Sequence, residues 1–89
     1  MKIRLEQYGA ILTSRPAGKE AALAMKARLR PAEGETVELD FEGVLAVGPS
    51  WLDEVLRSLR ADYGRERVVC LPTKNASVAE SLKAIDAAR

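Results

Sequence analysis

Ser50 is the residue that the sequence places best for chemistry. It follows Gly48-Pro49, which interrupts an apolar run, and it precedes an amphipathic segment, so its hydroxyl is expected at the start of a helix. A phosphate attached there would lie at the positive end of the helix dipole. The structural alternative is a helix N-cap, in which the serine oxygen accepts a backbone N–H and contributes about 1 kcal/mol of stability. The two roles are compatible, and the sequence leaves both open.

Two adjacent carboxylates and the only tryptophan of the chain follow Ser50. Neighbouring helical residues point about 100° apart, so Asp53 and Glu54 are not expected to converge as a general acid–base pair. They suit a first helical turn, where the dipole favours acids, and we hypothesise that one of them pairs with Arg15. Trp51 lies one residue off the apolar stripe of this segment, which favours either an interface anchor at the edge of the stripe or a core contact.

The composition argues against most catalytic and metal chemistry. The chain has no histidine and a single cysteine, Cys70, which lies in an apolar run and is predicted to act as a small buried hydrophobe. The glycines Gly43 and Gly48 precede no Lys-Ser or Lys-Thr pair, so a phosphate-binding P-loop is not predicted. We therefore expect no enzymatic activity, no metal and no cofactor.

Charge and hydropathy restrict the partners and the location. Fourteen Lys and Arg residues against thirteen Asp and Glu give a net charge of +1, which argues against a dedicated nucleic-acid binder. No apolar run approaches the roughly 18 residues of a membrane-spanning helix. The charged and alternating start of the chain differs from a signal peptide. These features predict a cytoplasmic protein without a nucleic-acid or membrane partner.

Hydrophobic periodicity divides the chain into strands and helices of one domain, residues 1–89. Strands are predicted over residues 1–6, 10–12, 37–41 and 67–71. Helices are predicted over residues 16–30, 50–63 and 76–88. The first two strands are expected to form a hairpin, and the last, an unbroken apolar run, is expected at the centre of the sheet. This order predicts an α/β fold with a mixed sheet of about four strands and three helices that cover mainly one face.

The order and spacing of several short motifs resemble the STAS-like domains of unassigned function, which are relatives of the anti-sigma factor antagonists. The motifs are Ser14-Arg15, Leu39-Asp40-Phe41 with Gly43-Val44, Gly48-x-Ser50-Trp51-x-Asp53-Glu54, and Asn75 in the loop after the last strand. The resemblance covers nearly the whole chain and implies a STAS-like fold. In the antagonists a partner kinase phosphorylates the second serine of an Asp-Ser-Ser-Gly turn, and Ser50 falls at that position. Gly48, Pro49 and Trp51 stand at the other three positions.

The resemblance and the residues together predict a non-catalytic regulatory module that docks another protein, which the family implies is a kinase-like ATPase or another regulatory protein. The partner-binding surface is predicted to consist of Ser50, Trp51, Glu54 and Arg57, with Ser50 as the phosphorylation site. Structural or turn roles are predicted for Ser14, Arg15, Asp40, Gly48, Asp53 and Asn75. The alternative is a domain that binds a small molecule or nucleotide. The first strand is expected at a sheet edge, which would allow two copies to pair.

Overall fold

Three helices and five short strands make up the computed structural model, which describes residues 1–88. The helices are α1 (Arg15–Arg28), α2 (Pro49–Tyr63) and α3 (Ala76–Ala87). The strands are β1 (Lys2–Arg4), β2 (Ile11–Leu12), β3 (Val37–Asp40), β4 (Ala46–Val47) and β5 (Val68–Cys70). Residue 89 of the predicted domain lies outside the described residues. The helices begin and end within one or two residues of the predicted positions, because caps and helix breakers mark their ends in the sequence.

The strands form two parallel sheets rather than one mixed sheet of about four strands. One sheet has the order β1-β3-β5, and the other pairs β2 with β4. The predicted hairpin is therefore wrong: β1 and β2 each pair in parallel with a strand that follows α1. The prediction that β5 lies at the centre is also wrong, because β5 is at an edge and Val69 is 36% exposed.

The two sheets arise from one pair of chain segments that run side by side. Residues 2–12 follow residues 38–47 in the same direction, and a 3₁₀ turn (Leu5–Tyr8) interrupts the pairing on one side. A turn at Gly43, whose φ of +87° favours glycine, interrupts it on the other side. The register shifts by one residue across this break, as the pairs Lys2↔Glu38 and Ile11↔Ala46 show. Two-residue strands carry too little pattern to predict this pairing.

The alternation within β3 separates a core face from an outer face. Val37 and Leu39 are fully buried, whereas Glu38 and Asp40 are half-buried. Ile3 of β1 pairs with Leu39 and is buried too, so the buried residues of neighbouring strands share one face. This face contributes to a single cluster of buried aliphatic side chains with the helices.

Helix α2 contributes the widest apolar stripe to that cluster. Its five buried residues are at most 1% exposed: Trp51, Leu52, Val55, Leu56 and Leu59. Helix α1 packs against α2 through small residues, and Gly18 allows the closest approach. A Cβ atom at Gly18 would lie 2.7 Å from the backbone oxygen of Trp51, so only glycine fits there without a shift of one helix.

Candidate functional site

An open cleft runs along the outer face of α2, opposite its apolar stripe. Its volume is about 370 Å³. The side chains that line it come from the start of α1, from α2, from the 3₁₀ turn Arg65–Arg67 and from the end of α3. We refer to it as the α2 cleft, and its lining residues are Arg15, Pro49, Ser50, Asp53, Arg57, Arg60, Arg65, Ala84, Ile85 and Ala88.

Helical spacing explains why the polar residues of α2 share this cleft. Ser50, Asp53, Arg57 and Arg60 recur at intervals of three or four residues, which places them on one side of a helix. The apolar residues occupy the other side because burial of aliphatic surface holds α2 against α1 and the sheet. The same helix therefore has one side in the core and the other in the cleft.

Ser50 lies in the cleft but does not cap α2. The helix begins at Pro49, its N-cap is Gly48, and Ser50 is its second residue. Proline at the first helical position is favoured because its fixed φ suits the helix and its missing N–H is not needed there. The N-cap interpretation of Ser50 is therefore wrong. Its side chain is half-buried, and within residues 1–88 its hydroxyl makes no hydrogen bond.

Trp51 is not part of the exposed surface, so its predicted role as an interface anchor is contradicted. The residue is 1% exposed and belongs to the core cluster. It widens the apolar stripe by one position, and α1 approaches its backbone closely at Gly18. The pattern of α2 alone could not reveal this burial, because it depends on the elements that pack against the helix.

Arg15 connects the start of α1 to the first turns of α2. Its Nη1 donates to Asp53 Oδ2 at 3.1 Å and to Glu54 Oε2 at 2.8 Å. These hydrogen bonds, the one to Glu54 first, raise the pKa of Arg15 above its ordinary value. Arg57 also donates to Asp53 Oδ2, at 3.2 Å. The predicted pairing of Arg15 with one carboxylate is confirmed, and the structure extends it to both.

Other predicted turn residues are engaged in local hydrogen bonds. Ser14 is the N-cap of α1 and accepts the backbone N–H of Ala17 at 3.2 Å. Asp40 Oδ1 accepts the backbone N–H of Glu42 at 3.0 Å, which closes the turn after β3. Gly48 donates its backbone N–H to Leu12 O, so it joins the start of α2 to β2.

Asn75 is the N-cap of α3 and connects that helix to the chain before β4. Its Oδ1 accepts the backbone N–H of Ser77 at 2.9 Å. Its Nδ2 donates to Val44 O at 3.0 Å and to Leu45 O at 3.1 Å. One amide side chain thus satisfies a helix end and two loop carbonyls, which are groups that would otherwise be left without partners.

Two serines of α3 complete this junction, and their contacts with β4 were not predicted. Ser77 Oγ accepts the backbone N–H of Val47 at 3.0 Å, and Ser81 Oγ donates to Val47 O at 2.8 Å. The two serines are four residues apart, so they lie on the same side of α3 and replace a neighbouring strand beside β4. The four-residue spacing of these serines was the sequence signal from which a contact between α3 and β4 could have been predicted.

Cys70 does not line the α2 cleft and is half-buried rather than fully buried. Burial raises the pKa of its thiol above the ordinary value, while the charge of Arg60 opposes that shift. Within residues 1–88, no group of three or more His, Cys, Asp or Glu side chains could hold a metal ion. In the same part of the chain, no helix combines the length and apolarity needed to span a membrane.

The parallel α/β architecture with three helices is that of a STAS-like domain. A family model described as "STAS-like domain of unknown function (DUF4325)" matches residues 24–77, which is more than half of the chain. The chain therefore belongs to this family, and the resemblance in the motifs is confirmed. No curated protein and no solved structure shows a significant match. The matched range contains all of α2 and Asn75, whereas Arg15 precedes it.

Proposed function

We propose that this chain is a non-catalytic regulatory module that docks another protein through the α2 cleft. The observation that carries the proposal is the position of Ser50. A half-buried hydroxyl without a hydrogen bond within residues 1–88 stands at the second position of a long helix, in an open cleft that arginines line. The proposed docking surface consists of Ser50 and Arg57 with Arg15 and Glu54 at its rim. Trp51 is excluded from it because its side chain is buried.

The finer proposal is that phosphorylation of Ser50 controls docking. A phosphate there would lie at the positive end of α2 and beside Arg15 and Arg57, which are the groups that stabilise a phosphorylated side chain. The negative charge of Asp53 would repel such a phosphate, but the hydrogen bonds from both arginines offset that charge. By family resemblance the partner is a kinase-like ATPase or another regulatory protein.

Affinity capture from the native cell tests this proposal. The parent chain and Ser50→Asp are compared as baits, and Ser50→Ala serves as the control that changes the side chain without adding charge. We expect Ser50→Asp to change the amount of at least one captured protein by several-fold, while Ser50→Ala retains it. Identical capture by all three baits would contradict a docking role for the start of α2. Mass spectrometry of the native chain tests directly whether Ser50 carries phosphate.

A second candidate function is the binding of a small molecule or nucleotide, and the volume and charge of the α2 cleft favour it. A thermal-shift screen against metabolite classes separates the two candidates. A rise of several degrees with one class supports ligand binding, since a ligand that binds only the folded state stabilises it. We also propose that two copies of the chain pair along β1, because β1 is an edge strand. Sedimentation of the purified chain tests this pairing.

A further inference from the structure

Among the described residues that line the α2 cleft, the cationic side chains are all arginines: Arg15, Arg57, Arg60 and Arg65. A guanidinium group presents a planar fork of N–H donors that matches two phosphate oxygens at once, whereas lysine offers a single point charge. The whole chain has a net charge of only +1. Four arginines around one cleft therefore concentrate positive charge in a nearly neutral molecule.

The carboxylates near the cleft do not cancel this charge. Asp53 lines the cleft, Glu54 does not, and Arg15 binds both of them. Arg57 shares Asp53, and its side chain is 75% exposed. Arg65 has no ion-pair or hydrogen-bond partner within residues 1–88. The guanidinium groups of Arg15, Arg57 and Arg65 outnumber these two carboxylates, which leaves a surplus of positive charge in the described part of the cleft.

The opposite wall of the cleft is apolar. It consists of Ala84, Ile85 and Ala88 at the end of α3. The volume of about 370 Å³ lies in the range of about 300–1,000 Å³ that is typical of small-ligand sites. A small inorganic anion could be bound by the arginines alone and would make no use of an apolar wall. A ligand that carries a carbon framework next to its anionic group would contact both sides.

We infer that the α2 cleft binds a phosphomonoester that is attached to an apolar or flat framework. The phosphate lies against Arg57 and Arg65 within reach of the Ser50 hydroxyl, and the framework contacts the α3 wall. This inference rests on the second candidate function and gives its ligand a chemical class. It does not require that a protein docks at the same surface.

Nuclear magnetic resonance of the ¹⁵N-labelled chain at low salt tests the inference with three probes: adenosine 5′-monophosphate, adenosine and inorganic phosphate. We expect adenosine 5′-monophosphate to shift the backbone resonances of Ser50, Arg57 and Ala84 in a saturable manner. Inorganic phosphate is expected to bind the same residues more weakly, and adenosine is expected to shift them little. Equal binding of adenosine and its monophosphate would overturn the inference, as would shifts confined to residues outside the cleft.

A matched pair of double variants tests the assignment of the arginines. Arg57→Gln with Arg65→Gln removes two charges from the cleft, and Lys2→Gln with Arg28→Gln removes two charges from a separate surface pocket. We expect the first pair to weaken binding of the monophosphate at least tenfold and the second to weaken it less than threefold. Equal affinities of the two double variants would overturn the inference. Both variants keep the core residues, and their unfolding curves are compared with that of the parent.

The outcomes also separate this inference from protein docking. If the monophosphate does not bind but charge changes in the cleft still alter capture of a protein, the ligand assignment fails and docking stands. If the monophosphate binds and capture is unaffected by Ser50 and Arg57 variants, docking fails and the ligand assignment stands.

Discussion

The starts of α2 and α3 have nearly the same layout but opposite surroundings. Ser50 and Ser77 are each the second residue of their helix, and the residue that follows each is buried: Trp51 in α2 and Val78 in α3. Ser77 exchanges hydrogen bonds with Asn75 and with the backbone of Val47. The Ser50 hydroxyl makes none within residues 1–88 and lines a basic cleft.

The polar side chains at the start of α3 stabilise the fold, whereas those at the start of α2 remain accessible to another molecule. At α3 the side chains satisfy the backbone of β4 and of the loop before it, as buried or half-buried polar groups require. At α2 the N-cap is Gly48, and the nearby polar side chains bind one another across the surface. The start of α3 is therefore a structural junction, and the start of α2 is the candidate binding surface.

The largest effect is expected on the buried side of α2. Trp51→Ala removes a side chain that is 1% exposed, and the lost burial and the cavity should lower the free energy of unfolding by about 3–5 kcal/mol. Chemical denaturation with Trp51→Phe as the control measures it, since phenylalanine fills much of the space. A Trp51→Ala chain as stable as the parent would mean that this side chain is not packed in the core.

Asn75→Ala should have the next largest effect. The change removes the N-cap of α3 and leaves the carbonyls of Val44 and Leu45 without their donor, so we expect a loss of about 1–3 kcal/mol. Asn75→Ser keeps a capping oxygen but not the amide donor, and it should recover only part of the loss. Full recovery with serine would show that the bonds to the loop contribute nothing.

Substitution of Ser77 and of Ser50 tests whether the starts of α3 and α2 differ in their effect on stability. Ser77→Ala removes the acceptor of the Val47 N–H and should cost about 1–2 kcal/mol. Ser50→Ala should change stability by less than about 0.5 kcal/mol, because substitutions at such surface positions usually do. Parallel urea unfolding of the two variants measures the difference. Equal losses would remove the distinction between the two helix starts.

The smallest effect is expected for the ion pairs at the rim of the cleft. The stability losses of Arg15→Ala and Asp53→Ala should add up to more than the loss of the double variant, because both single changes break the same contact. Added salt should reduce this coupling, since the groups are near the surface. A double-mutant cycle measures it, and strictly additive losses would show that the contact is not energetically coupled.

The helices could be predicted from the sequence because their signals are local. Ser14 before α1, the apolar stripe of α2 and Gly64 after it each lie within a few residues of the structure that they determine. Strand pairing is different, because β2 and β4 have two residues each and their partnership depends on the path of the whole chain between them. For that reason the hairpin and the central position of β5 were predicted wrongly.

The candidate site was predictable in its location but not in its composition. The break at Gly48-Pro49 placed the start of α2 almost correctly, and opposite charges allowed the pairing of Arg15 with the α2 acids to be predicted. The burial of Trp51 depends on elements that are distant in sequence, and α1 approaches its backbone at Gly18. The meeting of Arg65 with the α3 wall depends on how three elements pack, which no local pattern records.

If another molecule binds the outward side of α2, reversal of a charge there should release it, and quantitative affinity capture with charge-reversed baits measures this loss. Arg57→Glu changes the cleft, and the matched Arg28→Glu makes the same charge change at the far end of α1. We expect that Arg57→Glu loses most of a captured partner while its unfolding curve matches the parent, and that Arg28→Glu retains that partner. Equal capture of every partner by the two variants and the parent would contradict binding at the outward side of α2.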